Sequence, residues 1–293
     1  MCGIAGIFHV SDNQPIDAGL IAAMNDKQIH RGPDAGDYYF EPGLALAHRR
    51  LSIIDLAGSP QPMQSACGRA VIVFNGEIYN FKALHTELNA KGYTFNTDGD
   101  TETILNAYLE WGEECVHHLR GMFAFAIWDT KKQALFVARD RLGIKPLYFS
   151  LMDNGHFAFG SELKVLTQHP RFNRKLRDTT IEDYFTFGYV PEPHTIYQHT
   201  YKLRPGHCFT IHKGQTQLPE QQEYWDIPVE ADQELSAQEI EEQLAERLKE
   251  AVDVRMVADV PLGSFLSGGV DSSAVVALMS QLQDKPVNAC SIG

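Results

Sequence analysis

The sequence predicts an α/β protein in which a layered unit with two antiparallel sheets precedes the start of a parallel-sheet domain. Three patterns lead to this prediction. Apolar strands separated by polar turns run from position 121 to 150, candidate helices lie among the strands of the first 212 residues, and a strand–glycine loop–helix pattern follows position 260. Nearly continuous apolarity in the strands indicates a sheet covered on both faces, by a second sheet and by helices.

Length and composition limit the class of protein. The chain has 293 residues, which suggests about two domains, and 44% hydrophobic with 22% charged residues is typical of a globular protein. The formal net charge of -13 argues against nucleic acid or an anionic membrane as the main partner. No apolar run reaches the roughly 20 residues that span a bilayer, and the start lacks a signal-peptide pattern. We therefore expect a cytoplasmic protein.

The first 212 residues are rich in predicted strands. An apolar run from Val71 to Phe74 meets Asn75-Gly76, a dipeptide that is typical of turns. Further along, GMFAFAIW is apolar throughout and DTKKQ forms a polar turn before the next strand. Helices are predicted at Leu20–Gln28, Phe81–Lys91 and Thr101–Trp111.

A change in composition marks the end of this unit. The segment from 213 to 235 is polar and irregular, as a linker would be, and Ser236 with Glu239 then forms a capping box that begins a helix. We therefore expect an N-terminal domain at 2–212, a linker at 213–235, and the start of a second domain at 236–293.

A cysteine directly behind the initiator methionine raises the question of a nucleophile. If Met1 is removed, Cys2 carries a thiol and a free α-amine whose unperturbed pKa is about 7.7–8.0, which pairs a nucleophile with a base. The alternative is a small buried residue near the start of a strand. The other cysteines, Cys67, Cys115, Cys208 and Cys290, are scattered, and the histidines show no metal-ligand spacing. We expect neither a disulfide framework nor a zinc site.

The stretch VPLGSFLSGGVDSSAVVALMSQL contains the most specific motif of the chain. Leu262–Leu266 is predicted as a short buried strand, and a helix is predicted from Ser272 onward. Between them, glycines let backbone N–H groups approach an anion, and the helix N-terminus adds partial positive charge. Serine hydroxyls add donors, and Asp271 is a candidate magnesium ligand. The loop lacks the Walker A pattern, and phosphate binding is favoured over a simple glycine-rich turn.

Several motifs together resemble one family. The N-terminal part is similar to the class II glutamine amidotransferases, which are N-terminal-nucleophile hydrolases with an αββα sandwich. Its matching residues are Cys2–Ile7, His30–Asp34, Arg50–Ile53, Asn75–Asn80 and Asp100. The loop Ser267–Ser272 resembles that of the ATP pyrophosphatases. An amidotransferase-like part followed by an ATP-pyrophosphatase-like loop resembles the glutamine-hydrolysing asparagine synthetases, and this resemblance covers the whole chain. GYVPEP and GSPQPM are similar to a bacterial branch associated with exopolysaccharide and exosortase systems.

The resemblance implies a glutamine-hydrolysing site. Cys2 would attack the side-chain amide of glutamine, with its own α-amine as general base. Asn75 and Gly76 would hold the tetrahedral oxyanion. The glutamine-binding residues that the resemblance implies are Arg50, Leu51, Ser52, Asn75, Gly76, Glu77 and Asp100.

The resemblance also implies a second reaction. ATP would adenylate a carboxylate, aspartate in the family's named reaction, and ammonia arriving by a dry route would form asparagine with release of AMP and pyrophosphate. The implied cofactors are ATP and Mg²⁺, with Asp271 as a metal ligand, and the family suggests a homodimer. The implied ATP-binding residues are Leu266, Ser267, Gly268, Gly269, Asp271, Ser272 and Ile292.

Each implied residue also has a simpler interpretation. Asn75-Gly76 could be a hairpin turn, Arg50 a surface charge, and Asp100 the N-cap of the following helix. Together, however, they supply a nucleophile, an oxyanion site, a carboxylate clamp and an ammonium acceptor. The combination favours Cys2 as the nucleophile.

Three functions stay open from the sequence. The favoured one is the N-terminal portion of an asparagine synthetase. The alternatives are an amidotransferase of the same architecture acting on a polysaccharide or another carboxylate, and a catalytically silent regulatory or scaffolding domain. The family's parallel-sheet domain continues past the point that corresponds to Gly293, so we expect this segment to hydrolyse glutamine without completing amide synthesis.

Overall fold

The protein was analysed as a computed structural model that describes residues 1–55, 58–229 and 235–292. The chain divides into two compact units. Unit 1 comprises Met1–Ser52 and Ala57–Asp226, and unit 2 comprises Ile53–Leu56 and Ile227–Gly293. Among the described residues, no helix combines the length and the apolar character needed to cross a membrane. The domain boundaries inferred from the sequence stay predictions.

Unit 1 is built on two antiparallel sheets. The first sheet has the strand order β10-β8-β9-β1-β3-β2. Its strands are β1 (Gly3–His9), β2 (Ala35–Glu41), β3 (Leu44–Arg50), β8 (Tyr148–Leu151), β9 (His156–Gly160) and β10 (Thr200–Lys202). The second sheet has the order β12-β11-β7-β6-β5-β4. Its strands are β4 (Met63–Gln64), β5 (Ala70–Ile78), β6 (Gly121–Asp129), β7 (Ala134–Arg139), β11 (His207–His212) and β12 (Gln222–Glu223).

In the described residues of unit 1, six helices accompany these sheets. They are α1 (Ala18–Asp26), α2 (Phe81–Ala90), α3 (Asp100–Trp111), α4 (Cys115–His118), α5 (Leu163–Leu166) and α6 (Thr179–Phe187), with a 3₁₀ turn at Gly112–Glu114. The three helices predicted from the sequence correspond to α1, α2 and α3. The hairpin predicted at DTKKQ joins β6 to β7.

The alternating sequence of β6 explains why unit 1 has four layers. Successive side chains of a strand point to opposite faces. One set, which includes Ala126 and Trp128, enters the core between the two sheets. The other set includes Phe125, whose ring contacts Phe136, and Phe136 in turn stacks on Tyr108 of α3. A separate core packs α1 and α5 on the outer face of the first sheet. The predicted αββα sandwich is confirmed.

The structure corrects the interpretation of Asn75-Gly76 as a turn. Both residues lie inside β5, paired with Ala124 and Phe123 of β6. A Cβ added to Gly76 would stand 2.2 Å from the Met122 carbonyl oxygen, so the close approach of β6 requires glycine here. The strand continues because long-range pairing outweighs the local turn signal.

Unit 2 contains α7 (Ala237–Asp253), β13 (Gly263–Phe265), α8 (Val270–Leu282) and β14 (Asn288–Cys290), with β13 and β14 parallel. The capping box of Ser236 and Glu239 begins α7, as predicted. The strand predicted at Leu262–Leu266 is shorter than expected and is not buried, since Phe265 is 73% exposed. Helix α8 begins at Val270, two residues before the predicted start, because the loop closes on Gly269 as the N-cap.

Candidate active site

Cys2 is held through both its side chain and its backbone. Its Sγ accepts a hydrogen bond from the Leu51 N–H at 3.4 Å and lies 3.6 Å from the Leu51 carbonyl oxygen. The Arg31 Nε donates to the Cys2 carbonyl oxygen at 2.9 Å. Burial raises the pKa of the Cys2 thiol, and the hydrogen bond from Leu51 opposes this effect. The arrangement fixes the position of the sulfur while disfavouring a free thiolate.

Strand β5 presents a row of N–H groups on the side that faces away from β6. The Phe74 N–H donates to the Gln61 Oε1 at 2.7 Å, and the Ile78 N–H donates to the Asp100 Oδ2 at 2.9 Å. In an antiparallel pair every second residue turns its N–H outward, so Gly76, between these two, faces the same way. The Gly76 N–H therefore points to the open edge of the strand, where an acceptor from outside the sheet can reach it.

The Asn75 side chain is the most unusual polar group of this strand. It is 1% exposed, and within the part of the chain that the structure describes neither its Oδ1 nor its Nδ2 has a hydrogen-bond partner. A buried amide without partners opposes folding by about 1–3 kcal/mol, so such groups are rare unless they serve a function. Beside the outward Gly76 N–H, the Asn75 amide is a donor suited to a substrate oxygen.

Asp100 lies beside Glu77 at the start of α3. Burial and, to a smaller extent, the charge of Glu77 raise the pKa of the Asp100 carboxyl, and the hydrogen bond from the Ile78 N–H opposes them, so that the pKa is about 7. Gly99 is the N-cap of α3, and Asp100 is the first helical residue. The simpler interpretation of Asp100 as an N-cap is therefore wrong. Two carboxylates placed together in this way favour the binding of a cation.

The end of β3 and the residues that follow it bring Arg50, Leu51 and Ser52 to the same region. The positive charge of Arg50 acts on the Cys2 thiol, and the negative charge of Asp100 acts on it in the opposite sense. The Ser52 N–H donates to the Asp34 Oδ2 at 2.9 Å, so this backbone donor already has a partner within the protein. Leu51 contacts the cysteine itself.

Two cationic side chains near Cys2 were given no role from the sequence. Arg31 also forms an ion pair with Glu162 at 3.3 Å. Lys145 is 5% exposed, burial lowers the pKa of its ammonium, and the charges of Glu77 and Cys2 raise it. Arg31 could have been identified from the sequence, because it lies within the His30–Asp34 motif. Lys145 could have been identified as a lysine between apolar neighbours.

One group of possible metal ligands joins residues that are far apart in sequence, so their spacing could not reveal it. Ligand atoms of His9, Asp12 and His156 lie within 4.8 Å of one another. The His9 Nδ1 lies 3.1 Å from the Gln14 carbonyl oxygen, and the His156 Nδ1 lies 3.3 Å from the His169 Nε2. We assign no ion to this group.

The predicted phosphate loop in unit 2 is compact. The hydroxyl oxygens of Ser267 and Ser272 lie 3.0 Å apart, and the Ser267 N–H donates to the Ser272 Oγ at 3.3 Å. Gly268 has a φ of +82°, and a Cβ there would meet no atom within 4 Å. The loop leads directly into α8, whose first turn contains Asp271. Open space above a helix N-terminus fits a phosphate, and one carboxylate fits a Mg²⁺ ion that takes its other ligands from phosphate and water.

The other ATP-binding residues inferred from the resemblance flank this loop. The Leu266 N–H donates to the Cys290 carbonyl oxygen at 2.8 Å, and the Ser291 Oγ donates to the Leu266 carbonyl oxygen at 2.6 Å. Ile292 follows at 91% exposure. These contacts bring the two ends of the predicted set, Leu266 and Ile292, to the same edge of the β13–β14 pair.

Comparisons with known proteins find family models that match two parts of the chain. The family model described as a glutamine amidotransferase domain matches residues 1–225, and the one described as asparagine synthase matches residues 243–293. Glutamine-hydrolysing asparagine synthetase 1 of Bacillus subtilis (strain 168) is 39% identical over 284 residues, covering 96% of this chain and 44% of that protein. A putative asparagine synthetase of Methanocaldococcus jannaschii is 37% identical over 317 residues, covering 100% of this chain and 60% of that protein.

A solved structure shows the same fold at low sequence identity. Glutamine phosphoribosylpyrophosphate amidotransferase from B. subtilis has a TM-score of 0.54 and 16% identity, covering 98% of this chain and 65% of that chain. The present chain spans roughly half the length of the curated relatives it matches.

Proposed function

The chain belongs to the glutamine amidotransferase family, and from that premise we propose that it hydrolyses the side-chain amide of glutamine with Cys2 as nucleophile. The observation that carries this proposal is the Asn75 amide, which is buried, has no hydrogen-bond partner among the described residues and adjoins the outward N–H of Gly76. These two donors would hold the oxyanion of the tetrahedral intermediate. One such donor is typically worth about 2.7–4 kcal/mol of transition-state stabilisation.

The nucleophile and its base would both come from Cys2 once Met1 has been removed. The α-amine accepts the thiol proton as Sγ bonds to the amide carbon, and then gives a proton to the departing ammonia. Water cleaves the resulting thioester to release glutamate. While Met1 is present, burial lowers the pKa of the Met1 amino group, as do the charges of Lys145 and Arg31, and the charges of Cys2 and Glu77 oppose this effect. The same surroundings would favour the neutral amine that a base requires.

Charged groups around Cys2 would bind the α-carboxylate and the α-ammonium group of glutamine. Arg50 would pair with the α-carboxylate, and Glu77 with Asp100 would accept the α-ammonium. Burial raises the pKa of Asp100 to about 7, and an arriving ammonium favours the ionised form. The backbone at Leu51 and Ser52 would line the pocket.

The loop Ser267–Ser272 supports a second proposal, that the ammonia is transferred to an ATP-activated carboxylate. The backbone N–H groups around Gly268 and Gly269 would bind phosphate, with Asp271 as a Mg²⁺ ligand. When bound, Mg²⁺ would offset phosphate charge. The carboxylate attacks the α-phosphorus, pyrophosphate leaves, and ammonia then displaces AMP to form the amide. The names of the relatives favour aspartate as the acceptor.

Glutamate and ammonia release from glutamine, with intact mass measured on the same sample, tests the first half. Protein that lacks Met1 should hydrolyse glutamine, Cys2→Ala should not, and Cys67→Ala should serve as a matched control because Cys67 is an exposed cysteine elsewhere. Release that persists in Cys2→Ala, or no release from folded protein that lacks Met1, would refute the proposal. Binding of MgATP to the same protein tests the phosphate site of the second half: Asp271→Asn should weaken it, and equal binding by wild type and Asp271→Asn would contradict the role of Asp271.

A further inference from the structure

We propose that Gln61 is a positioning residue for glutamine hydrolysis, an inference that rests on the function proposed above. Gln61 belongs to the GSPQPM segment, which none of the roles described so far uses. It is 8% exposed and connects two elements of the candidate site, the strand that contains Asn75 and the helix that begins at Asp100.

Gln61 makes one hydrogen bond to each element. Its Oε1 accepts from the Phe74 N–H at 2.7 Å, and its Nε2 donates to the Thr101 Oγ1 at 3.3 Å. The orientation of the amide is determined by its partners, because the Phe74 N–H can only donate. Phe74 immediately precedes Asn75, and Thr101 immediately follows Asp100. One side chain thus holds residues adjacent to the oxyanion donor and to the predicted ammonium acceptor.

Side chains are needed at this point because the neighbouring strand has ended. Strand β4 pairs with β5 only at Val71 and Ile72, so the outward backbone groups of Phe74 have no strand partner. The Gln61 Oε1 accepts a hydrogen bond from the Phe74 N–H. The His48 Nε2 donates a hydrogen bond to the Phe74 carbonyl oxygen at 3.0 Å. Both side chains are buried, and together they replace the missing ladder at the residue before Asn75.

The Gln61 side chain should affect the position of the oxyanion donors in the transition state. Catalytic donors act only when they are held within a few tenths of an ångström of the developing charge, and a displacement of about 1 Å can cost about 10²-fold in rate. Loss of the Gln61 link would let the Asn75–Gly76 segment shift against α3. We expect a smaller effect than removal of a donor itself, about a 10-fold fall in kcat, with KM for glutamine changed less than about 3-fold.

Two substitutions separate the two bonds. Gln61→Met removes both, and Thr101→Val removes only the bond to Thr101. The expected order of kcat is wild type, Thr101→Val, then Gln61→Met. Asn106→Leu is the matched control, since it breaks another side-chain hydrogen bond of α3, from the Asn106 Nδ2 to the Thr94 carbonyl oxygen at 3.3 Å. Its kcat should equal that of wild type.

Two chemical probes distinguish positioning from general damage. Glutamate γ-semialdehyde forms a thiohemiacetal with Cys2 whose oxygen occupies the oxyanion position, so its affinity should fall in Gln61→Met by the same factor as kcat. Alkylation of Cys2 by iodoacetamide needs no oxyanion donor, and its rate should not change. Unchanged kcat in Gln61→Met, or a loss of alkylation rate without a loss of aldehyde affinity, would overturn this inference. Absence of ammonia release from wild type would instead overturn the proposed function.

Discussion

Replacing Asn75 with leucine should stabilise the unliganded protein while removing most of its glutaminase activity. Leucine has nearly the shape of asparagine and carries no polar atom. The Asn75 side chain is 1% exposed, and its amide has no hydrogen-bond partner. The same amide would donate to the oxyanion in the proposed reaction. Stability and activity should therefore change in opposite directions.

Both magnitudes follow from the surroundings of Asn75. An unpaired buried amide opposes folding by about 1–3 kcal/mol, which Asn75→Leu would recover. In a domain of this size about 1 kcal/mol moves Tm by about 2–4 °C, so Tm should rise by about 2–12 °C. Loss of one oxyanion donor should lower kcat by about 10²–10³-fold.

Thermal unfolding and glutamate release measured on the same preparations test this prediction. Asn106→Leu is again the control, because its amide has a protein partner at 3.3 Å. It should show the reverse pattern, with a lower Tm and an unchanged kcat. If Asn75→Leu kept its kcat, Asn75 would not serve the oxyanion. If its Tm fell, the amide would already be satisfied in the unliganded protein.

Three further predictions concern other parts of the molecule. Burial raises the pKa of Asp100 to about 7, so between about pH 4 and 7 the folded protein binds more protons than the unfolded chain, and its free energy of unfolding falls as pH rises. Asp100→Asn should flatten that fall in urea titrations and raise KM for glutamine at least about 10-fold at pH 8; an unaltered pH slope would contradict this. Gly76→Ala would place a Cβ 2.2 Å from the Met122 carbonyl oxygen. This substitution should lower the free energy of unfolding by about 1–3 kcal/mol and remove most of the glutaminase activity. Gly36→Ala, whose Cβ would meet a flexible arginine side chain, should be tolerated, and equal losses in both variants would count against the steric argument. Ser236→Ala removes the capping box of α7 and should weaken that helix by about 1 kcal/mol, visible as faster amide hydrogen exchange in α7 and refuted by unchanged exchange.

Features that depend on interactions between neighbours along the chain could be predicted from the amino-acid sequence alone. The capping box at Ser236, the hairpin at DTKKQ and the glycine loop before α8 all use interactions between residues a few positions apart. Short-range patterns of this kind can be read directly from the residues involved. The same holds for the candidate nucleophile, because a cysteine at position 2 is visible without any structure.

The assembly of the candidate site could not be predicted from the sequence, because it depends on contacts between residues far apart in the chain. Asn75-Gly76 has the local signal of a turn, yet pairing with β6 makes it strand and leaves the Asn75 amide buried without a partner. The pKa of Asp100 depends on burial, and the role inferred for Gln61 depends on the end of β4, which no nearby residue encodes. These properties arise from contacts between residues far apart in the chain. Strand register and burial therefore had to be known before they could be assigned.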